Sequence, residues 1–492
     1  MKITSIGQRT LLFKASGTRF ALAALSGALF YLAMKLTPVW WAAWLAPVPI
    51  LLAAFDSGKS EARLLAWLAA GIGLASEVAY YWKTTGPFAT IVITLLQILV
   101  WGFFVLRTRA VVTKSSGSTI IFAFPLLLAG MDTLVSFFSP HGTWGSYAYT
   151  QMDATPVIQV ASLAGTPGIV FLVGLFASTV AVIIHKRMGI NRPLLAYGLP
   201  LFLLLAALGY GLLRLTDQPQ RATVKIGLTA IDDFIGKQTP PEKVEAVWRG
   251  YEKAVAQLAN DGARIVILPE KIEAFALNDA ERRKAELAEL AKSQGVYLIA
   301  GVQLNDGERE SNVSWTFNAN GELVAEYHKR HMVPFLEGDL IPGHEDKHFE
   351  IDGKRYGLAI CRDLIFADFG RNYARYGLSA MLAPAWDFYV DAWMATQVAA
   401  LRGVEGGYAV ARAGREGYLN ASDRYGRVLA RKRSDYLPGT RVVAEVTLES
   451  AKPTFYARFG NVFGWLCVAG AILTLLPRRR DSGGAEISDH VD

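Results

Sequence analysis

The sequence predicts a polytopic α-helical membrane bundle of about eight helices that carries an inserted, layered α/β domain. Three observations lead there: an uneven spread of charge, loops rich in Lys and Arg at alternate positions, and strand–helix alternation confined to the charged half. Of the 492 residues, 52% are hydrophobic and 19% charged, against about 25% charged in an average chain. Residues 20–213 carry 15 Asp, Glu, Lys and Arg, whereas residues 214–460 carry 67. The first half is too apolar to be one water-soluble core. Wholesale disorder, collagen and coiled coil are excluded by the same composition. Two cysteines make neither a disulfide framework nor a zinc-finger array. The net charge of +7 sits beside apolar segments and forms no continuous patch, which argues against nucleic acid.

Apolar stretches fall at roughly 20–36, 39–55, 64–82, 87–106, 118–137, 157–184 and 194–213, and an eighth at 461–477. Most approach the ~20 residues that span a bilayer. The first two are short and closely spaced. The chain therefore divides into a membrane domain of about seven helices (1–213), a polar domain (214–460), a last helix (461–477) and a tail (478–492), which is polar and expected to be disordered. Lys2, Arg9, Lys14 and Arg19 precede the first helix. Lys59 and Arg63, then Arg107, Arg109 and Lys114, then Lys186, Arg187 and Arg192, and finally Arg478 to Arg480 occupy alternate connections. With seven helices before the polar domain and one after it, all of these lie on the cytoplasmic side. Residues 214–460 then face outward. The small residues from Ala21 to Ala28 raise a cleaved signal peptide as an alternative, but the apolar stretch continues past any cleavage point there.

The polar domain reads as strands and helices in alternation. Strands are expected at 224–230, 264–269, 296–304, 355–360, 379–383, 408–413, 418–422 and 441–448, and helices at 241–258, 280–293, 367–376 and 392–404. Asn320-Gly321 and Asp352-Gly353 read as hairpin turns. The result is a layered α/β domain rich in strands.

Cys361 is the only cysteine of this domain, while Cys467 sits in the last apolar stretch as a packing residue. A cysteine at a strand end before a helix is well placed for a nucleophile, because the helix N-terminus favours the thiolate. A buried structural cysteine is the bland alternative. His344-Glu345-Asp346-Lys347-His348 spells H-E-x-x-H, which binds zinc only when a helix puts both His on one face. Pro342-Gly343 before it and the strand-like 349–351 after it leave no room for a helix, so a polar loop is expected and no metal is implied. Glu270 ends the apolar run Val266-Ile267-Leu268-Pro269, and Lys329 ends another strand in the segment 327–335. Glu270, Lys329 and Cys361 thus form an ordered set, each at a strand end.

That set resembles the nitrilase (carbon–nitrogen hydrolase) superfamily, whose members use Glu, Lys and Cys in this order on an αββα sandwich. With seven helices before the domain and one after, the chain resembles the membrane branch of that superfamily, the bacterial apolipoprotein N-acyltransferases. Leu268-Pro269-Glu270, the segment 327–335 with Glu337, the Cys361 segment, and Trp144, Gly145, Tyr147, Tyr149 and Gln151 carry the likeness. The resemblance implies a multi-pass protein of the bacterial inner membrane with its catalytic domain on the periplasmic face. It implies transfer of an acyl chain from phospholipid, through a Cys361 thioester, to the N-terminal amine of a diacylglyceryl-cysteine lipoprotein, without a cofactor. Glu270 would be the general base; Lys329 and the backbone N–H of Arg362 would stabilise the oxyanion; Glu337 would orient Lys329 or Glu270. Departures from the family pattern are Cys361-Arg362-Asp363 in place of Cys-Tyr-Glu, Phe335-Leu336-Glu337 in place of Phe-Gly-Glu, and 383–388 in place of Asn-Asp-x-Trp. The Cys-x-Asp form is closer to soluble amidases, so a membrane-anchored amidase is the alternative; a non-catalytic receptor fits the intact set poorly. Arg362 also offers a guanidinium to an anionic head group. Glu77 and Asp132 are ionisable groups inside apolar stretches, where such groups are paired or functional. Trp40, Trp41, Tyr80, Tyr81 and Trp82 read as interfacial anchors.

Overall fold

The computed structural model describes residues 13–476 except 14, 116, 187–193, 217–221, 237, 306, 335 and 449–452. Lys2, Arg9, Lys14, Arg187, Arg192, Arg478 to Arg480, Phe335 and the tail 478–492 lie outside the described residues.

Apolar helices occupy all eight stretches. The first half holds α1 (Ser16–Met34), α2 (Trp40–Leu45), α3 (Pro47–Phe55), α4 (Lys59–Lys114), α5 (Ala123–Phe138), α6 (Thr155–Ile158), α7 (Ala161–Lys186) and α8 (Leu199–Leu215). Helix α4 takes in both 64–82 and 87–106, but Gly86 (φ 81) and Pro87 break it into two arms. Pro47 starts α3 and divides the short second stretch in the same way. By length and composition α1, α4, residues Thr119–Phe138 and α7 can cross a membrane, while Trp40–Phe55, α8 and the C-terminal Val462–Leu475 are shorter. Phe88, Phe137, Phe138, Phe202 and Leu213 stand exposed, more apolar surface than water tolerates on a soluble chain.

The polar domain is two facing sheets with helices on both outer faces. One sheet runs β13 (Thr440–Thr447), β1 (Thr223–Ala230), β2 (Ile265–Ile267), β4 (Tyr297–Asn305), β5 (Glu310–Phe317), β6 (Leu323–His328), with β3 (Ala274–Ala276) beside β4. The other runs β12 (Val428–Arg433), β11 (Tyr418–Ser422), β10 (Ala409–Arg415), β9 (Leu378–Trp386), β8 (Lys354–Leu358), β7 (His348–Ile351). In each sheet the central strands β1, β2, β4 and β8, β9, β10 pair in parallel and the outer ones antiparallel. Ile226 and Leu228 of β1 pack against Leu358, Leu382 and Ala411 between the sheets. Helix α9 (Pro241–Asn260) covers the first sheet with Val247, Trp248, Tyr251, Val255 and Leu258, a 3.6-residue stripe. Helix α10 (Leu277–Gln294) lies beside it and ends on Gly295 in the left-handed region. Helices α11 (Ala367–Arg375) and α12 (Ala392–Gly406) cover the second sheet.

The hairpin turns at Asn320-Gly321 and Asp352-Gly353 join β5 to β6 and β7 to β8. Strands β3 and β12 were not expected, and β9 runs on through Pro384 to Trp386. A proline costs a strand one donor, but this strand is held on both sides by parallel neighbours.

Helix α12 is the joint between the two halves. It faces β10 on one side, and its Val398, Ala400, Leu401 and Val404 join the apolar cluster of α1 to α7 on the other. A short helix α13 (Phe455–Phe459) then turns the chain into α14 (Val462–Leu475), which packs on α5. Cys467 is buried in that contact.

Candidate active site

Three turns at one rim of the sandwich bring the predicted residues together. Glu270 follows the buried Leu268-Pro269 at the end of β2. Gly301 of β4 lets that turn come close, since a Cβ there would lie 2.6 Å from the Pro269 carbonyl oxygen. Lys329 follows β6 directly; its N–H donates to the Asn312 carbonyl (2.9 Å) and its own carbonyl accepts from Gly343 (2.7 Å). Cys361 opens a turn of 3-10 helix (Cys361–Ile365) just past β8 and stands at φ 43, a conformation costing about 1–3 kcal/mol that surrounding contacts must hold.

Asp363 provides that hold. It is fully buried, and its Oδ2 accepts from the Ile360 N–H (3.0 Å) and the Tyr327 phenol (2.6 Å). Its Oδ1 accepts from the N–H groups of Arg330 (3.2 Å) and His331 (2.9 Å). The turn that carries Cys361 is thereby tied to the segment that carries Lys329. This is a physical reason for acid at the third position of Cys361-Arg362-Asp363.

The polar centre is dense. Lys329 Nζ donates to Glu270 Oε1 (2.8 Å) and Glu337 Oε2 (2.7 Å), and all three groups are buried. Asn312 Nδ2 donates to Glu270 Oε1 (2.6 Å) and Glu337 Oε1 (3.1 Å). Lys271 Nζ lies 2.5 Å from Glu337 Oε1. Glu337 thus bridges two ammonium groups, and these outweigh its burial and hold its carboxyl down at about 2. Burial works against the charge of Lys329, but Glu270 and its other anionic neighbours hold its pKa above the usual lysine range. Both donors to Glu270 use Oε1, and the buried Oε2 has no hydrogen-bond partner.

Cys361 Sγ donates to the Trp386 carbonyl (3.3 Å). Burial first, and the Glu270 charge second, push its thiol up to about 12, against the opposing charges of Lys329 and Arg412. Arg412, from β10, grips Asp387 through both guanidinium arms, and both residues are buried. Gly417 makes room for this pair, because a Cβ there would sit 2.0 Å from Asp387 Oδ2.

Glu270, Lys329, Glu337, Cys361 and Arg362 all line one cavity of about 420 Å³, together with Arg412 and Asp387. Its other wall comes from the membrane half: Tyr80 of α4, and His141 and Trp144 from the loop after α5. Thr143 fixes that loop, its hydroxyl donating to the Ile365 carbonyl (2.6 Å). Of the remaining segment picked out by sequence, Tyr147, Tyr149 and Gln151 lie away from the cavity as struts: Tyr147 donates to Ala43, Tyr149 meets Thr143 and Arg402, and Gln151 meets Trp44 and Trp40. Asp132 accepts from Thr166 (3.0 Å), and Glu77 sits beside Tyr81 and Gln97. Residues 342–347 are irregular and His348 begins β7, so the H-E-x-x-H string is not on a helix. Among the described residues no cluster of His, Cys, Asp and Glu is placed to hold a metal ion.

Sequence reasoning missed Asn312, Lys271, Arg412 and Asp363 as parts of the site. Asn312 lies mid-strand and Arg412 in an apolar run; a buried polar residue inside a strand was the available signal.

The apolipoprotein N-acyltransferase N-terminal domain matches residues 26–179, and the carbon–nitrogen hydrolase domain matches residues 235–444. An apolipoprotein N-acyltransferase of Geobacter metallireducens is 28% identical over 512 residues, covering 94% of this chain and 96% of that protein. The human omega-amidase is 31% identical over 149 residues, 26% of this chain and 54% of that one. Among solved structures, an amidase from Nesterenkonia sp. aligns with 49% of this chain and 94% of its own at 17% identity, with a TM-score of 0.40.

Proposed function

This chain belongs to the apolipoprotein N-acyltransferase family, the membrane branch of the carbon–nitrogen hydrolase superfamily, and from that premise we propose that it moves an acyl chain from phospholipid to the N-terminal amine of a diacylated lipoprotein. The observation that carries this reading is the cavity shared by Cys361, Glu270 and Lys329 on one wall and Tyr80, His141 and Trp144 of the membrane half on the other. Acyl chains can stay in lipid while an ester reaches the thiol. In this reading the helices cross the inner membrane eight times, and residues 214–460 face the periplasm.

Glu270 takes the Cys361 proton on its unpartnered Oε2, and the thiolate attacks the ester carbonyl. Lys329 and the Arg362 backbone N–H stabilise the oxyanion, a role in which one donor is worth about 3–4 kcal/mol. Collapse breaks the ester C–O bond, Glu270 returns the proton to the leaving alkoxide, and lysophospholipid departs. The acceptor amine then attacks the thioester, gives its proton to Glu270, and the C–S bond breaks to release the amide. The buried Arg412 adds a second positive charge beside the thiolate. Glu337 holds Lys329 and Lys271 in place.

The test is intact mass after mixing the purified protein with phospholipid and no acceptor. A hydroxylamine-sensitive acyl adduct on the wild type and not on Cys361→Ala is expected. No adduct on a folded protein whose thiol still alkylates would overturn the lipid-ester donor. It would favour a membrane-anchored amidase, the reading that the Cys361-Arg362-Asp363 form and the omega-amidase likeness support.

A further inference from the structure

Four cationic side chains line the cavity: Lys271, Lys329, Arg362 and Arg412. Three are neutralised, Lys271 by Glu337, Lys329 by Glu270 and Glu337, and Arg412 by Asp387. Arg362 is different. It is 6% exposed, and its guanidinium has no carboxylate within ion-pairing distance among the described residues. One Nη2 donates to the Pro140 carbonyl, and the buried Nε has no partner at all. The guanidinium lies over the Phe366 ring, 5.7 Å from its centroid. Burial holds it below the usual arginine range, outweighing the charges of Cys361, Glu337 and Asp363 that act on it from beyond ion-pairing distance.

Its position says what the missing counter-ion is. Arg362 is the residue next to the nucleophile, one backbone step of ~3.8 Å away. Its contact with Pro140 sets it under the loop after α5, where the exposed Phe137 and Phe138 mark apolar surface. His141 lines the same wall. In a glycerophospholipid, the phosphodiester is separated from the acyl ester only by the glycerol unit. An ester at Cys361 Sγ would therefore leave the phosphate within reach of Arg362. A guanidinium fork matches phosphate oxygens two at a time.

We propose that Arg362, with His141, forms a subsite for the phosphodiester of the acyl-donor lipid. This rests on the acyltransferase reading above and adds to it how the donor is chosen. The subsite distinguishes phosphate-bearing donors from neutral glycerides with the same chains.

The experiment uses the full chain in detergent and follows the acyl adduct on Cys361 by intact mass. The donors are phosphatidylglycerol, phosphatidylethanolamine and a phosphate-free diacylglycerol of the same acyl composition. The wild type is expected to prefer both phospholipids. Arg362→Ala should lower adduct formation from the phospholipids by about tenfold or more relative to that from the diacylglycerol, so that the preference collapses. Arg362→Lys, which keeps charge and bulk but loses the fork, should fall between them, and His141→Gln should reduce the preference in the same direction. Iodoacetamide labelling of Cys361 at the wild-type rate shows that the turn has kept its shape. An adduct that forms in Arg362→Ala and Arg362→Lys with the wild-type donor ratio overturns the subsite and leaves the acyltransferase reading standing. A wild type that takes no lipid ester overturns both.

Discussion

The phenol of Tyr327 donates a 2.6 Å hydrogen bond to Oδ2 of Asp363. One residue lies two positions before Lys329 and the other two positions after Cys361, so this bond spans the two segments whose relative placement the chemistry needs. Tyr327→Phe removes only the donor, and Asp363→Asn weakens all the bonds that hold the turn. A hydrogen bond to a charged group contributes about 1.5–3 kcal/mol. Tyr327→Phe should lower the rate of Cys361 acylation by about tenfold with little change in apparent donor affinity, and Asp363→Asn by more. Single-turnover kinetics on both variants will check the order.

Asn312 should matter as much as the residues it touches. It steadies Oε1 of Glu270 and so leaves Oε2 as the free oxygen. Asn312→Ala is expected to reduce acylation about 10- to 100-fold while the protein still binds lipid. Single-turnover acylation measured beside lipid binding supplies the check: the rate should fall while binding stays at the wild-type level.

Acid should unlock the centre through Glu337. Its carboxyl titrates at about 2 when folded, against an ordinary 4.5. A lowered folded value means that its stabilising contribution is complete above about pH 4.5 and is lost as pH falls from there toward 2. Glu337→Gln should flatten that part of the stability–pH curve. At neutral pH it should also cost about 3–5 kcal/mol, because Lys271 loses its partner and Lys329 keeps only Glu270. Thermal unfolding from pH 2.5 to 7 measures both effects.

Thiol reactivity provides the fourth test. With Cys361 raised from 9.0 to about 12, alkylation should be slow near neutrality and climb with pH through that range. Raised in the folded state, this group also makes the protein less stable as pH rises from about 9 to 12. Arg412→Gln should slow alkylation further at every pH. Gly417→Ala should act in the opposite sense, since its Cβ would displace Asp387, whose charge raises the Cys361 thiol, and leave Arg412 unneutralised. Adduct counts against Cys361→Ala exclude lysine labelling.

Much of this protein is legible along the chain because it depends on local pattern. Loss of charge over 20–213, alternate basic loops, and short runs of buried, strand-forming residues are properties of neighbouring residues. So is the presence of Glu270, Lys329 and Cys361 at strand ends. Glycine punctuation placed the turns at Asn320-Gly321 and Asp352-Gly353.

What sequence order does not contain is the distance between segments far apart in the chain. Glu270 and Lys329 are 59 residues apart, yet one hydrogen bond of 2.8 Å joins them. Asn312 and Arg412 became site residues only when β5 of one sheet and β10 of the other brought them to the same rim. Arg362 came to face His141 across the cavity only because its guanidinium reaches the Pro140 carbonyl of the loop after α5. The sequence by itself determined which groups could do chemistry and which half forms apolar helices, since hydrophobic patterning is local. Tertiary structure alone decided which charges are paired, buried or left open, since Coulomb energy and desolvation depend on separation in space.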